Sequence, residues 1–167
     1  MKKLTPRDPT ILAERDLAAL SNSQSSVRLA LRPLLLFLSR VQRELRMHPA
    51  SVAVRFINDR EMARLNSVYR KKKKTTDVLS FPSEARATPR NLPARLKTLS
   101  GKYLGDIAIS PVVAKRNAKS FRRSLGDELR ILILHGVLHL LGYDHETDRG
   151  EMDRVETRLR RRLGLAG

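Results

Sequence analysis

The sequence predicts an α+β fold in a single compact domain, with helices mixed with a few short strands. Apolar residues recur with helical spacing in several segments, and three short stretches rich in branched or apolar residues are typical of strands. At 167 residues the chain is long enough for one domain with a substantial core and too short to expect two. Residues 1–25 are poorly patterned, so we expect the domain to span residues 26–164.

In the first half of this domain the sequence predicts two helices and two strands. Pro33 suits the start of the first helix, because its fixed φ fits a first helical turn. "SVAVRFI", residues 51–57, alternates between apolar and other residues and predicts a strand. Asn58 can cap the next helix, and Glu61 can reach back to it. "DVLSF", residues 77–81, is a second, short apolar strand.

In the second half a strand and three helices follow a long loop, predicted over residues 83–102. "YLGDIAIS", residues 103–110, is the third strand, and Ser110 followed by proline opens a helix. "GDELRILILHGVLHLLG" predicts a more buried helix that stops at Gly142. The last helix runs from about residue 148 to 163, with acids early and arginines late.

The charge balance indicates a polyanionic partner. The chain has 34 Lys and Arg against 17 Asp and Glu, a net charge of +17, for which nucleic acid or an anionic membrane surface is the obvious counter-charge. The longest apolar runs, such as residues 34–38, are far shorter than the ~20 residues that span a bilayer. The N-terminus lacks the apolar stretch of a secretory signal. We therefore expect a soluble intracellular protein that uses neither a membrane nor a dinucleotide cofactor.

The basic residues occur in clusters. Residues 85–105 carry five Lys or Arg and no acid, residues 107–126 carry five more, and residues 70–74 are an unbroken basic run. One such cluster is usually a solvated face, but several in one small domain favour binding to a polyanion. With four Phe, three Tyr and no Trp, contacts to phosphates are expected rather than base stacking.

Three of the four histidines lie in "HGVLHLLGYDH". His135 and His139 are four residues apart, which on a helix is ~400° of rotation and ~6 Å of rise, so both rings point the same way. Gly142 allows the chain to turn back, and His145 follows three residues later. One histidine in an apolar helix is usually a core residue, but three in this pattern without a shared partner are costly to bury. The pattern therefore predicts a metal site on a core helix and the turn after it.

In hydrolytic enzymes, three imidazoles with an open fourth position usually bind zinc. Nickel and copper also suit such ligands. The chain has no cysteine, so the site depends on His, Asp or Glu. Bound zinc lowers the pKa of a water ligand to ~7, which makes hydroxide available at neutral pH. We expect one Zn²⁺ per chain, held by His135, His139 and His145.

The same histidine spacing occurs in metzincin proteases. Those enzymes have Glu directly after the first histidine as general base, where this chain has Gly136. Met152 could suggest a metzincin methionine turn, but it lies in a helical apolar stripe and is predicted to be core. A hydrolase of peptides or small molecules is therefore the weaker hypothesis.

"HGVLHLLGYDH" resembles the signature of the YbeY family of metal-dependent endoribonucleases that mature ribosomal RNA. "LNSVYR", "TDVLSFP" and "LGDIAIS" match upstream in the family's order, and "EMDRVETRLRRRLG" is similar to its closing helix. The resemblance covers about residues 51–164. It implies a short mixed sheet flanked by helices, zinc held by the three motif histidines, and Arg70 of the Y-R segment as a cleft residue important for activity.

The family's activity implies an endonuclease that cuts single-stranded RNA in the cytoplasm. It implies roles in 16S rRNA 3′ end processing and ribosome quality control, with the small ribosomal subunit as partner. Arg70 would then face the charge that develops on a phosphate, and Lys71, Lys72, Lys73 and Lys74 would guide the RNA backbone. The alternative is a ribosome-assembly factor with a structural zinc and no nuclease activity of its own.

Other positions are less decisive. Asp144 can orient a ligand or cap a turn, with the turn favoured. Asp106 is expected to be structural, and no residue stands out as a general base. The strongly basic segment between "FPSE" and "KYLGD" departs from the more acidic or mixed loop expected of the family, and the overall charge is unusually high.

Overall fold

A computed structural model describes residues 19–72, 74–83 and 103–165 of the chain. Most of the predicted loop over residues 83–102 lies outside these residues, as does Lys73. Four strands are formed: β1 (Leu20–Asn22), β2 (Val52–Phe56), β3 (Val78–Pro82) and β4 (Gly105–Ile109). The helices are α1 (Leu31–Glu44), α2 (Asp59–Arg70), α3 (Pro111–Ser120), α4 (Leu125–Leu140) and α5 (Glu151–Leu163).

The strands form one mixed sheet in the order β1-β2-β4-β3. β1 and β2 are parallel, as are β2 and β4, whereas β3 runs antiparallel to β4 and forms one edge. In this register Phe56 pairs with Ile109, and Ser80 pairs with Ile107. The predicted α+β class with a short mixed sheet flanked by helices is confirmed.

The two faces of the sheet are covered by different helices. On one face Val54, Phe56 and Ile107 are almost fully buried in the main core, to which α1, α4 and α5 also contribute. On the other face Ala108 and Leu79 pack with residues of α2. The alternation of side chains along a strand explains this division, because neighbouring residues point to opposite faces. The edge strand β3 therefore lies between α2 on one side and α4 on the other.

Helix α4 is the central helix of the larger core. Its apolar residues are buried on nearly all sides, which is expected of a helix that is apolar around its whole circumference. The side chain of Ser124 caps its first turn by accepting the Asp127 N–H at 3.0 Å. The caps predicted for α2 and α3 are also formed, by Asn58 and Ser110. Local polar residues thus set where these helices begin.

The structure differs from the sequence analysis at the ends of elements. Strand β1 lies at Leu20–Asn22, inside the segment where the sequence indicated no element. It has three residues, and its pairing with β2 rather than its own pattern defines it. Helix α1 begins at Leu31, two residues before Pro33. Within the described ranges, no helix has the length and apolar character needed to cross a membrane.

Candidate metal centre and cleft

Helix α4 places His135 and His139 one turn apart on the side that faces the edge strand. The hydroxyl of Ser80 in β3 donates to the Gly136 carbonyl at 3.1 Å, so this part of α4 is attached directly to the sheet edge. Gly136 itself lies against Ile107 of β4, next to β3. The first two histidines therefore extend from a rigid, buried part of the molecule rather than from a loop.

A tight turn after α4 brings His145 back to the other two histidines. The Gly142 N–H donates to the His139 carbonyl at 2.9 Å, and the Tyr143 N–H donates to the Leu138 carbonyl at 3.1 Å. This pair of bonds is the Schellman motif, which requires a left-handed residue at the position of Gly142. Its φ is 96°, which glycine adopts without steric cost. The predicted helix stop and reversal are confirmed.

The three imidazole rings form one cluster. The ring centroids lie 4.7 Å apart for His135 and His139, 5.5 Å for His135 and His145, and 5.4 Å for His139 and His145. One nitrogen from each ring lies within 4.8 Å of the others. The structure therefore brings the three predicted residues together in a group that could hold one metal ion.

The protonation pattern of the cluster fits a cation. Glu156 Oε2 lies 2.9 Å from His135 Nδ1, and because a carboxylate only accepts, the proton must be on Nδ1. In the neutral imidazole the lone pair is then on Nε2, which lies 3.0 Å from His139 Nε2. Zn–N bonds of about 2.0–2.1 Å in a tetrahedral site separate two nitrogens by about 3.3 Å, close to that distance. His145 lies on an exposed turn, with its ligand nitrogen within 4.8 Å of those of the other two histidines.

Glu156 is a part of the site that sequence reasoning missed. It is 6% exposed, and Arg160 donates to its other carboxylate oxygen. Burial by itself would raise the pKa of Glu156, but the hydrogen bond and charge of His135, with the charge of Arg160, lower it below its usual value. Glu156 is therefore an anion that fixes the His135 tautomer, as carboxylates behind metal-binding histidines do. The available signal was an acid within the buried stripe of α5, between Met152 and Leu159.

The environment of His139 keeps its imidazole neutral. Burial lowers its pKa first, and the neighbouring His135 and His145 lower it further, while Asp144 and a backbone hydrogen bond with Tyr143 act in the opposite direction. A neutral imidazole has the free electron pair that metal binding needs. His139 is thus in the form that can bind a metal at neutral pH.

The position after the first histidine has no room for a side chain. A Cβ added at Gly136 would lie 2.8 Å from Ile107 Cγ2 and 2.9 Å from Ile107 Cδ1. The glutamate that metzincins carry there could not be accommodated without moving the helix off the sheet. Met152 is fully buried in the main core, as predicted, and belongs to the packing of α5. The geometry therefore argues against a metzincin-type peptidase.

A cleft of about 1260 Å³ opens beside the histidines. The end of α2, strand β3 and the turn after α4 line it. Its charged lining residues are Arg55, Arg64 and Arg70 together with Glu61, Asp77, Asp106 and Asp144. Arg70 is the last residue of α2, and its side chain is 47% exposed. Its Nη2 lies 3.9 Å from Glu146 Oε1, next to His145 in sequence, so Arg70 reaches from the α2 side to the histidine turn. The structure places Arg70 and the histidines in one cleft.

The basic run after Arg70 leaves the cleft wall. Lys71 ends α2 in a left-handed conformation, and Lys71, Lys72 and Lys74 are exposed. The cleft-lining residues include Arg70 and Thr76 on either side of them. The three described lysines therefore lie at the border of the cleft, and their contact with RNA stays a prediction.

Two acids line the cleft near the cluster, and one of them caps a turn. Asp144 Oδ1 accepts the Glu146 N–H at 3.0 Å, and Oδ2 accepts the Thr147 hydroxyl at 3.2 Å. The bond from Glu146 lowers the pKa of Asp144 against a small opposing effect of burial. Asp144 therefore caps the turn, the interpretation that the sequence favoured. Asp106 is exposed on the cleft wall, where it adds to the effect of burial in raising the pKa of Tyr103.

Comparisons with known proteins agree on one family. The family model described as "Endoribonuclease YbeY" matches residues 20–164, a range that begins at β1. The endoribonuclease YbeY of Nautilia profundicola is 48% identical over 108 residues, 65% of this chain and 68% of that protein. The endoribonuclease YbeY of Koribacter versatilis is 43% identical over 130 residues, 78% of this chain and 75% of that protein.

A solved structure also resembles the fold. The solution structure of TM1509 from Thermotoga maritima superposes with a TM-score of 0.55 and covers 86% of this chain and 88% of that one. The two sequences are 22% identical, so this likeness concerns the arrangement of helices and strands.

Proposed function

This chain belongs to the endoribonuclease YbeY family, and from that premise we propose that it is a metal-dependent hydrolase of phosphodiester bonds in RNA. In its full form the proposal is a zinc-dependent, single-strand-specific endoribonuclease. Its substrate is ribosomal RNA, with the 3′ end of 16S rRNA as the processing site and a role in ribosome quality control. It acts in the cytoplasm on the small ribosomal subunit.

The observation that carries this proposal is the meeting of two different groups in one cleft. The three imidazoles supply a site for one divalent cation, and Arg70 supplies a guanidinium in the same opening. A cation and a guanidinium together suit a phosphate that gains negative charge during its displacement. Neither group alone distinguishes RNA cleavage from structural metal binding.

The residues of the chain have separate tasks in this mechanism. His135, His139 and His145 would hold the ion, and Glu156 keeps the His135 proton on Nδ1 so that Nε2 stays available. Zinc bound there would polarise a phosphoryl oxygen and lower the pKa of a water ligand to about 7. The same residues also suit nickel or copper, so the identity of the metal is part of the proposal.

Arg70 is positioned to bind the phosphate. Its contact with Glu146 is 3.9 Å long and both side chains are about half exposed, so the pairing is weak and easily exchanged for a phosphate. A guanidinium presents two parallel N–H groups that match two phosphate oxygens. We assign to Arg70 the binding of the charge that develops on the non-bridging oxygens.

Individual basic residues in and beside the cleft would recruit the RNA backbone. Arg55 and Arg64 line the cleft, and Lys71, Lys72 and Lys74 are exposed at its border, with Lys73 in the same run. The net charge of +17 acts in the same direction over longer range. Binding through phosphates releases counterions, so RNA affinity is expected to fall steeply with salt, which a hydrolase of peptides or neutral small molecules would not show.

The test is cleavage of a single-stranded 16S rRNA 3′ fragment by highly purified wild type and matched variants. We expect His139→Ala to lose both stoichiometric zinc and cleavage. Arg70→Ala should keep zinc and lose about 10²–10³ in kcat, the usual effect of removing one donor to a developing oxyanion. His48→Ala and Arg161→Ala remove a histidine and an exposed arginine outside the cleft-lining set, and should behave as wild type.

Two results would contradict the proposal. A His139→Ala variant that retains zinc and still cuts RNA would show that the cluster is not the active metal site. Equal activity in all four variants and wild type would show that a contaminating nuclease is responsible.

The second candidate is a ribosome-assembly factor in which zinc is structural. It is favoured by the contacts of two acids near the cluster. Asp144 caps its turn and Glu156 accepts a hydrogen bond from His135, so neither is free to act as general base. Under this hypothesis zinc chelation should unfold the protein, while binding to the small ribosomal subunit should survive Arg70→Ala. Under the nuclease hypothesis the chelated protein stays folded and cleavage stops.

A further inference from the structure

Tyr69 presents an aromatic ring to the cleft. It lies in the last turn of α2, directly before Arg70, and is 65% exposed. Its ring lines the same opening as the three histidines. An exposed aromatic ring that lines a functional cleft offers a flat, largely apolar face to a ligand.

The ring is held in place from one side. The Tyr69 and Phe81 centroids lie 4.8 Å apart with an interplanar angle of 70°, an edge-to-face contact. Phe81 is half-buried and packs against the apolar cluster beneath α2 that includes Met62 and Leu79. Tyr69 is therefore held by an edge-to-face contact with a residue fixed in the fold, while 65% of its surface remains exposed.

Tyr69 lines the same cleft as the three histidines, and its neighbours connect to the metal-binding segment. Arg70, its neighbour in sequence, reaches to within 3.9 Å of Glu146, which follows His145. On the other side Phe81 follows Ser80, whose hydroxyl bonds the carbonyl of the residue after His135. Tyr69 and its support Phe81 are thus each one residue away in sequence from a side chain that contacts the metal-binding segment.

We propose that Tyr69, braced by Phe81, is a stacking platform for one unpaired nucleobase of the RNA, beside the phosphate bound by Arg70 and the metal. This inference rests on the proposed function, since it names how that site selects its substrate. Every base has an aromatic face, so one platform accepts any base that is free to leave its neighbours. A base inside a duplex is already stacked on both faces, so the platform favours single strands.

A single platform is compatible with the small number of aromatic residues in the chain. Phosphate contacts supply most of the affinity, and one stacked base fixes the register of the strand relative to the metal. The Tyr69 hydroxyl is not required in this arrangement, because stacking uses the ring. A role as a hydrogen-bond donor to phosphate would require the hydroxyl and not the face of the ring.

The test compares Tyr69→Ala, Tyr69→Phe and Tyr69→Leu with wild type in the zinc-loaded, full-length protein. The probe is a 2′-O-methyl RNA octamer, followed by fluorescence anisotropy and checked on a gel for integrity. We expect Tyr69→Ala and Tyr69→Leu to weaken binding about 5- to 150-fold, the measured range for one stacked base, and Tyr69→Phe to stay within about twofold. Phe121→Ala is the matched control, because Phe121 is 63% exposed and lies outside the cleft-lining residues.

Two further readouts separate stacking from a structural role. A single abasic nucleotide, moved along the octamer, should weaken wild-type binding at one position and have little additional effect in Tyr69→Ala. When 2-aminopurine replaces the base at the sensitive position, wild type and Tyr69→Phe should quench its fluorescence, and Tyr69→Leu should not. Thermal unfolding identifies any variant that fails to fold. If Tyr69→Ala does not fold, Tyr69→Leu is compared with wild type instead, because leucine keeps an apolar side chain against Phe81.

Several outcomes would overturn the subsite. The first is wild-type RNA affinity in both Tyr69→Ala and Tyr69→Leu. The second is an equal loss of affinity in Tyr69→Phe and Tyr69→Ala. The third is a loss of affinity on substitution of Tyr69 that is the same for intact and abasic RNA. If wild type cleaves the 16S fragment while these results are found, only the stacking inference fails. If wild type neither binds nor cleaves single-stranded RNA, the proposed function fails and the subsite fails with it.

Discussion

Replacing Gly136 with alanine is expected to destabilise the protein, although alanine is the better helix former. Helix propensity alone would make the variant more stable by about 1 kcal/mol. The new Cβ, however, would lie 2.8–3.2 Å from three side-chain carbons of Ile107, which is fully buried in the central strand β4. Ordinary contacts between carbon atoms are about 3.5–4.0 Å, so helix and strand must separate.

The size of the effect follows from these two opposing contributions. An extra methyl group in a packed core costs about 1–3 kcal/mol, and the propensity gain offsets about 1 kcal/mol of it. We expect a net loss of up to about 2 kcal/mol in the free energy of unfolding. In an Ile107→Ala background the contacting carbons are absent, so the same substitution should be neutral or stabilising by up to about 1 kcal/mol. The coupling between the two positions should therefore be about 1–3 kcal/mol.

The stabilities of wild type, the two single variants and the double variant form a double-mutant cycle. Urea unfolding of the zinc-free proteins, followed by far-ultraviolet circular dichroism, measures these stabilities without a contribution from metal binding. Gly126→Ala is the matched control, because this glycine is in the same helix and its added Cβ would meet only Ser124 Oγ, at 3.7 Å. That variant should be as stable as wild type or more so. If Gly136→Ala stabilises the protein equally in both backgrounds, close packing is not why glycine follows His135.

Three other predictions concern the site and the fold. Glu156→Gln should weaken zinc affinity about 10- to 100-fold in competition with a chelator, because Gln lacks the charge that supports His135, and an unchanged affinity would refute that role. Burial raises the pKa of Glu128 against the charge of Arg123, so the folded state holds a proton that the unfolded state releases near pH 4.5. Stability should therefore fall as pH rises above 4.5 through the raised pKa, and urea titrations of Glu128→Gln should show a smaller fall. Ser124→Ala should cost about 1 kcal/mol of unfolding free energy, because it removes the cap of α4, whereas Ser124→Gly should cost only a few tenths.

The local features of the fold were predictable because they depend on neighbouring residues. Asn58 and Ser110 cap helices through hydrogen bonds that span three residues, and Gly142 ends α4 through bonds within one turn. The helical spacing of His135 and His139 likewise needs no knowledge of the rest of the molecule. Strand β1 was missed because a three-residue strand has too little pattern of its own, and only its pairing with β2 defines it.

The supporting parts of the site were not predictable in the same way. Glu156 lies 21 residues from His135 and meets it only because α5 packs beside α4. Tyr69 shares the helical spacing of the buried Met62 in α2, yet it is 65% exposed and contacts Phe81 of the edge strand β3, which the local pattern did not indicate.

The sequence by itself determined the three-imidazole group, since a helix and a glycine turn bring those rings together through short-range geometry. The tertiary structure decided what surrounds the group: the buried Glu156 behind it, the packing of Ile107 against Gly136, and the position of Arg70 in the same cleft. The physical reason is that these contacts join elements distant in the chain. Their distances depend on how the helices pack on the sheet, which local pattern does not encode.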